Sequence, residues 1–115
     1  MSSTDYPTLM TNIRSSLRTL NTAQPEALKA FRALGAEAYK DGALDRKTKE
    51  LMALGLGIAG HCSYCIGFHV EELIKLGITK AELGEAIAVA IQMGGGPSLM
   101  YGAEAMTAFE QLGGK

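Results

Sequence analysis

Hydrophobic residues recur every three or four positions along most of this chain, which is the period of an amphipathic α-helix. Residues 5–20 form the first such segment, and the second begins with Pro25, a residue that suits the first turn of a helix. Gly42 is predicted to end the second helix in the left-handed conformation. The apolar stripes of these two helices are Leu9, Ile13, Leu17 and Leu20 in the first, and Leu28, Phe31, Leu34 and Ala38 in the second.

Four more helices follow, and their ends carry capping signals. Asp45 can cap the start of the third helix, Gly77 stops the fourth, and the segment T-K-A-E at 79–82 is a capping box for the fifth. No stretch shows the alternation with period two that is typical of strands. The sequence therefore predicts an all-α, single-domain bundle of about six helices that spans residues 1–115. The last four helices are predicted over residues 46–59, 62–76, 79–94 and 97–112.

The composition is that of an ordinary globular domain, with 47% hydrophobic residues, 20% charged residues and a net charge of −1. This balance argues against nucleic-acid binding and against a basic membrane-binding surface. The N-terminus lacks the apolar run of a signal peptide, and the longest apolar stretch, residues 83–93, is too short to span a bilayer. A cytoplasmic protein is expected. Because the C-terminal helices are apolar nearly all the way round, a homo-oligomer is also expected.

The segment G-H-C-S-Y-C-I-G-F-H, residues 60–69, contains both cysteines and both histidines of the chain. Each helical residue advances about 100° around the axis, so that Cys62, Cys65 and His69 lie on one face. Cys62 falls at the helix start, where free N–H groups and the helix dipole favour a thiolate. His69, one turn after Cys65, is a candidate base or proton relay. His61 points away from this face and is expected to line the preceding turn.

Glu50 is a candidate second member of the relay. It opens the apolar run E-L-M-A-L-G-L-G-I-A-G, which places its carboxylate at the edge of a buried helix. Gly55 and Gly57 in that run permit a neighbouring helix to approach closely. Alternatively, Glu50 forms a solvent-exposed ion pair with Arg46, which stands four residues earlier.

Three alternative roles for the two cysteines remain open from the residues alone. A disulfide that closes so short a loop is a weak structural crosslink. Cys62, Cys65, His69 and His61 offer four zinc ligands, but the second ligand pair that is typical further along the chain is missing. The cysteines could also be small buried residues. Neither a haem-attachment motif nor a phosphate-binding loop is present, so no cofactor and no bound metal are predicted.

The segment E-L-M-A-L-G-L-G-I-A-G-H-C-S-Y-C-I-G-F-H resembles the core of the alkylhydroperoxidase AhpD-like, or carboxymuconolactone decarboxylase, family. The resemblance covers residues 26–95 approximately, and its specific part is the spacing Glu-x11-Cys-x2-Cys-x3-His. It implies an all-helical fold, assembly into trimers or hexamers, and a thiol-dependent antioxidant enzyme that reduces hydroperoxides or exchanges disulfides.

The resemblance also implies a role for each matching residue. Cys65 would attack the hydroperoxide and become a sulfenic acid, and Cys62 would supply a proton and then form the disulfide. Glu50 and His69 would form the proton relay. A dithiol reductant, lipoyl-type or thioredoxin-like, would restore the thiols.

Two features depart from the family pattern. Tyr64 stands where some active members have histidine, which bears on the relay and on the redox potential. Full-length AhpD proteins carry a second copy of the helical core, whereas this chain would be one unit. The decarboxylase branch of the family does not rely on a Cys-x-x-Cys dithiol, so the dithiol in this chain weighs against decarboxylation of a small lactone acid, which is the alternative enzyme activity. A metal-binding or redox-sensing module is the non-enzymatic alternative.

Overall fold

A computed structural model, which describes residues 4–115, folds the chain into six α-helices and, within those residues, no β-strand. The predicted all-α class and the predicted number of helices are confirmed, and each helix begins and ends within a few residues of its predicted bounds. The helices are α1 (Tyr6–Ala23), α2 (Pro25–Tyr39), α3 (Arg46–Ala59), α4 (Ser63–Lys75), α5 (Lys80–Gly94) and α6 (Gly96–Gln111).

Most helices begin at, or next to, the residues that the sequence marks as starts. The Asp45 carboxylate accepts a hydrogen bond from the Thr48 N–H at 2.8 Å at the start of α3. Thr79 and Glu82 exchange the two hydrogen bonds of a capping box at the start of α5. Pro97 lies in the first turn of α6, where an N–H would have no helical partner. The capping contacts of α3 and α5 join residues three positions apart, which is why sequence reasoning finds them.

The loop between α2 and α3 corrects the prediction for Gly42. α2 ends at Tyr39, and Gly42 does not adopt the left-handed conformation. The loop is held instead by the Asp41 carboxylate, which accepts a hydrogen bond from the Arg46 N–H at 2.7 Å. Because a side chain closes the turn, no residue of the loop needs a positive φ.

The hydrophobic core lies among α3, α4, α5 and α6, with the start of α1 covering one side. Gly102 lets α5 and α6 approach each other, because a Cβ at this position would lie 2.7 Å from Ile87 Cγ2. Gly57 has the same role between α3 and α4, since its Cβ would lie 3.2 Å from the Cβ of Cys65. The largest fully buried side chains include Tyr6, Met10, Leu54, Ile58, Ile66, Leu73, Leu83 and Phe109.

α1 and α2 contribute little to this core. Their predicted apolar stripes therefore matter less for the core than the sequence suggests. α1 buries Tyr6 and Met10, whereas Leu17 and Leu20 of the predicted stripe are exposed. α2 buries no residue, and its Phe31 is 75% exposed. The periodicity predicts the helices correctly, but the choice of the buried face depends on which helices pack alongside.

The connection between α3 and α4 is a tight helix end built around His61. The Cys62 N–H donates to the carbonyl of Gly57 at 3.0 Å, and the His61 N–H donates to the carbonyl of Ile58 at 3.1 Å, which together form a Schellman motif. His61 has a φ of 57°, in the left-handed region that favours glycine. At the end of α4 the same position is held by Gly77, with a φ of 80°. His61 therefore lines the turn before the cysteines, as predicted.

Exchange of His61 tests the energetic cost of this conformation. The His61 ring stacks on that of Tyr101, with centroids 5.0 Å apart and planes inclined by 8°. His61→Ala loses the stack and keeps the strained backbone, so we expect the free energy of unfolding to fall by about 1 kcal/mol. His61→Gly also loses the stack but relieves the strain, so it should be more stable than His61→Ala by about 1 kcal/mol. Chemical denaturation measures both differences. Equal stability of His61→Ala and His61→Gly would contradict the backbone strain inferred at this position.

Candidate active site

The two cysteines lie at the N-terminus of α4, as the sequence predicts. Cys62 caps the helix, because its Sγ accepts a hydrogen bond from the Cys65 N–H at 3.1 Å. A disulfide joins the two residues, whose Cα atoms are 5.2 Å apart. Both residues are partly exposed, so the bond is not sealed in the core. A dithiol at a helix N-terminus is chemically suited to reversible opening and closing.

Glu50 and His69 form a second pair, between α3 and α4. Glu50 is buried, with 2% of the residue exposed, and its Oε1 lies 2.7 Å from His69 Nδ1. Because carboxylate oxygens only accept hydrogen bonds, Nδ1 carries the hydrogen, and in the neutral imidazole Nε2 is left as the acceptor. The pair thus fixes the histidine in the form that can take up a proton.

Arg46 is the second partner of Glu50. Its Nε lies 3.7 Å from Glu50 Oε2, and its Nη2 bonds Glu72 Oε1 of α4 at 2.5 Å. The ion pair that the sequence offers as an alternative role for Glu50 is therefore present, but it is not solvent-exposed at the glutamate. A histidine and an arginine together compensate the cost of burying this carboxylate.

Tyr39 lies beside this pair, and sequence reasoning misses it. The centroid of its ring is 5.8 Å from that of His69. Burial, and secondarily the charge of Glu50, raise the pKa of the Tyr39 phenol above its ordinary value. No periodic signal marks Tyr39, because only the fold of the α2–α3 loop brings it to the site. It lines a cavity of about 560 Å³ together with Gly35, Ala36, Lys40, Asp41 and Arg46.

The packing of α3 against α4 places the predicted site residues along one helix–helix interface. Glu50 and Gly57 are seven residues apart and share a face of α3 within about 20°. Gly57 backs onto Cys65, and Glu50 bonds His69, about one turn further along α4. The prediction for the other glycine is wrong, because a Cβ at Gly55 would meet nothing within 4 Å. The thiols and the carboxylate–imidazole pair are therefore neighbours along α4.

A second hydrogen-bonded group flanks the cysteines on the side of α1 and α6. The Tyr6 hydroxyl donates to Glu104 Oε1 at 2.8 Å, and the Thr4 hydroxyl donates to Glu104 Oε2 at 3.0 Å. Burial and the Glu104 carboxylate raise the pKa of Tyr6 far above its usual range, against a smaller opposing effect of a hydrogen bond with Ser63. Ser63 stands between the two cysteines, so this group lies next to the first turn of α4.

Three further findings concern the predictions on metal binding, membranes and Tyr64. Within residues 4–115, no three histidine, cysteine, aspartate or glutamate side chains are clustered as a metal site requires. No helix in the described part of the chain is both long enough and apolar enough to cross a membrane. Tyr64, where some family members have histidine, is 45% exposed.

The fold and the site together define an all-helical protein with a Cys-x-x-Cys disulfide next to a buried glutamate–histidine pair. The model of the carboxymuconolactone decarboxylase family matches residues 25–108. The chain belongs to this family, and the resemblance inferred from the sequence is confirmed.

Solved structures and a related sequence agree with this assignment. A carboxymuconolactone decarboxylase family protein from Legionella pneumophila, solved in its apo form, is 46% identical, with a TM-score of 0.92 over 96% of this chain and 98% of its own. A family member from Thermotoga maritima, described as "possibly involved in antioxidative response", is 29% identical, with a TM-score of 0.79 over 90% of this chain and 88% of its own. An uncharacterized protein from Cupriavidus necator is 37% identical over 109 residues, which are 95% of this chain and 96% of its own.

Proposed function

We propose that the protein is a thiol-dependent hydroperoxide reductase that works through a Cys62–Cys65 dithiol/disulfide couple. The observation that carries the proposal is the disulfide at the start of α4, one helical turn from a histidine bonded to the buried Glu50. Family membership and the antioxidant description of the Thermotoga maritima protein support it. In this activity the reduced enzyme converts a hydroperoxide to an alcohol and becomes the disulfide form.

In the first step, His69 takes the proton of Cys65, and the resulting thiolate attacks the terminal oxygen of the hydroperoxide. The S–O bond forms as the O–O bond breaks, which gives a sulfenic acid on Cys65 and an alkoxide. The alkoxide takes a proton from Cys62 and leaves as the alcohol. The attack is assigned to Cys65 because His69 follows it by one turn, whereas Cys62 caps the helix.

In the second step, the Cys62 thiolate attacks the sulfur of the Cys65 sulfenic acid. The disulfide forms and hydroxide leaves, and the proton held by His69 converts the hydroxide to water. The Glu50 carboxylate stabilises the imidazolium between the two steps, and burial strengthens this interaction because few water molecules screen it. The cavity lined by Tyr39 and Arg46 lies beside the Glu50–His69 pair, because these two residues contact His69 and Glu50 respectively.

Regeneration needs an external dithiol, lipoyl-type or thioredoxin-like. One thiolate of the reductant opens the disulfide, its second thiol resolves the mixed disulfide, and the reductant leaves oxidised. We place the enzyme in the cytoplasm, because that compartment maintains dithiol reductants. The whole chain, residues 1–115, is proposed to act as one unit of the family fold.

The direct test is a thiol count and an intact mass. The metal-free protein is fully reduced, exchanged into reductant-free buffer and treated with one equivalent of tert-butyl hydroperoxide. The proposal expects the loss of two thiols and about 2 Da per chain, with one equivalent of tert-butanol formed. Two unreacted thiols with peroxide left over would overturn it.

The alternatives give different results in parallel assays. Lactone decarboxylation would persist in a Cys62→Ser/Cys65→Ser double variant, because that chemistry does not need the dithiol. A metal-binding module would retain stoichiometric zinc after purification of the reduced protein, which metal analysis detects. The proposed reductase expects neither result.

We also propose that the protein forms a homo-oligomer, a trimer or a hexamer, through its C-terminal apolar surface. We define this surface as the exposed side chains at the end of α5 and the start of α6: Val89, Met93, Leu99 and Met100. Exposed apolar patches of this kind are typical of subunit interfaces.

Size-exclusion chromatography with light scattering tests the assembly. The wild-type protein is expected to have the mass of three or six chains, and Met93→Lys/Met100→Lys is expected to shift it to one chain, because burial of two ammonium groups opposes association. Leu34→Lys is the control, since Leu34 is comparably exposed but lies on α2. A monomeric wild-type protein, or dissociation by the control alone, would contradict this interface.

A further inference from the structure

A groove of about 900 Å³ runs between α1 and α2, and it is separate from the site described above. Its apolar wall consists of Leu17 and Leu28 together with the rings of Phe31 and Phe68. An aromatic ring as exposed as that of Phe31 is unfavourable in water unless another molecule covers it. The volume is within the range of sites that bind small organic molecules.

Three arginines border the same groove. Arg14 bonds Glu71, which compensates its charge. Arg18 and Arg32 form no ion pair with a carboxylate within residues 4–115, and Arg32 donates to the Asn21 amide oxygen at 3.3 Å. The groove therefore combines an apolar wall with two guanidinium groups whose charge the described residues do not neutralise.

We propose that this groove binds an amphipathic anion, namely a carboxylate with a medium-length alkyl chain, as in a fatty acid. The chain covers Leu17, Leu28 and the Phe31 ring, and the carboxylate lies between the guanidinium groups of Arg18 and Arg32. Guanidinium–carboxylate contacts are charge-assisted and can be bidentate, so they fix the orientation of the ligand. The alkyl chain supplies most of the binding energy by removing apolar area from water.

A second copy of this chain is the competing occupant, and its charge fits poorly. The C-terminal apolar surface is one candidate partner surface; its four side chains are uncharged, and the exposed acidic residue one turn away on α5 is Glu85. If it covered the groove, one carboxylate at most would face Arg18 and Arg32, and burial of an unpaired guanidinium is costly. A small anion avoids this cost, because it brings one charge together with its apolar chain.

The groove adjoins the helix that carries the cysteines. Phe68 follows Cys65 by three residues, so the two lie within about 60° of each other around α4 and about one turn apart. The pair of Glu50 and His69 faces α3 instead. The ligand site does not depend on the proposed thiol chemistry, and it can be tested on the disulfide form of the protein.

Isothermal titration calorimetry of the full chain with sodium decanoate, below its micellar concentration, tests the proposal. We expect one decanoate per chain for the wild-type protein, and at least tenfold weaker binding for Arg18→Gln/Arg32→Gln. Lys29→Gln/Lys115→Gln removes the same net charge from exposed positions outside the groove and should leave decanoate binding unchanged. Acetate, which lacks the chain, and 1-decanol, which has a chain of the same length but lacks the charge, should each bind at least tenfold more weakly than decanoate.

A second variant guards against misfolding of the arginine variant. Phe31→Ser is expected to weaken decanoate binding at least tenfold while it keeps the wild-type helical circular dichroism and melting temperature, because Phe31 is outside the core. No heat of binding for the wild-type protein, or equal binding by the folded variants, would overturn the proposal. The proposal would also be overturned if Arg18→Gln/Arg32→Gln changed the oligomeric mass while the wild-type protein did not bind decanoate. A second copy of the chain would then occupy the groove.

Discussion

Cys65→Ser is expected to reduce hydroperoxide consumption to the uncatalysed background, whereas Cys62→Ser is expected to consume one equivalent and stop. The thiolate is the nucleophile in this chemistry, and a serine hydroxyl does not replace it. In Cys62→Ser the attacking sulfur remains, but no thiol is available to convert the sulfenic acid to the disulfide. The reaction should therefore halt after the gain of one oxygen atom, about 16 Da.

Stopped peroxide assays and intact mass with a sulfenic-acid trap such as dimedone measure both outcomes. The two serine variants serve as each other's control, because each removes the disulfide and leaves one thiol on the same first turn of α4. If Cys62→Ser were inert and Cys65→Ser formed the trapped sulfenic acid, Cys62 would be the attacking residue. If neither variant consumed peroxide, the assigned order of steps would be wrong.

Glu50→Gln is expected to slow the first oxidation step by about 100-fold, at the lower end of what a positioned acid–base group contributes. The amide keeps the shape of the side chain and can still accept from His69 Nδ1, but it no longer stabilises the imidazolium that forms when the histidine takes the thiol proton. Glu50 acts through His69, so it is a positioning residue. The final product should remain the Cys62–Cys65 disulfide, formed more slowly.

Single-turnover oxidation of the reduced protein by tert-butyl hydroperoxide gives the rate. Glu72→Gln is the matched control, because it removes the other carboxylate bonded to Arg46 without touching the histidine. We expect this control to react within about a factor of three of the wild type, as is usual for a partly exposed ion pair. Equal rates for Glu50→Gln and Glu72→Gln, in proteins of equal stability, would remove Glu50 from the relay.

The features that sequence reasoning predicts correctly are governed by neighbouring residues. The capping box of Thr79 and Glu82, the cap by Asp45 and the position of Cys62 at a helix start all depend on residues within one turn. The 3.6-residue period also places Cys62, Cys65 and His69 on one face without knowledge of the rest of the fold. The spacing to Glu50 shows that the residue belongs to the motif, but not where its carboxylate lies.

The features that the sequence does not predict are set by long-range packing. α2 has a clear apolar stripe, but Phe31 on that stripe is exposed because the contacts of α2 with α1 and α3 leave it uncovered. Tyr39 reaches the site only because the α2–α3 loop is folded by the Asp41 side chain. The left-handed His61 also escapes prediction, since glycine is the expected residue at such a helix end.

The sequence by itself therefore determines six helices, most of their ends and the placement of a dithiol and a histidine on one helix face. The tertiary structure alone decides that Glu50 is buried against His69 and that Arg46 also pairs with its carboxylate. It also decides that a groove with an apolar wall and arginines at its border stays open between α1 and α2. The physical reason is the range of the interactions. Helix period and caps depend on contacts within about four residues, whereas the Glu50–His69 pair needs α3 and α4 to pack closely at Gly57, which is a property of the whole bundle.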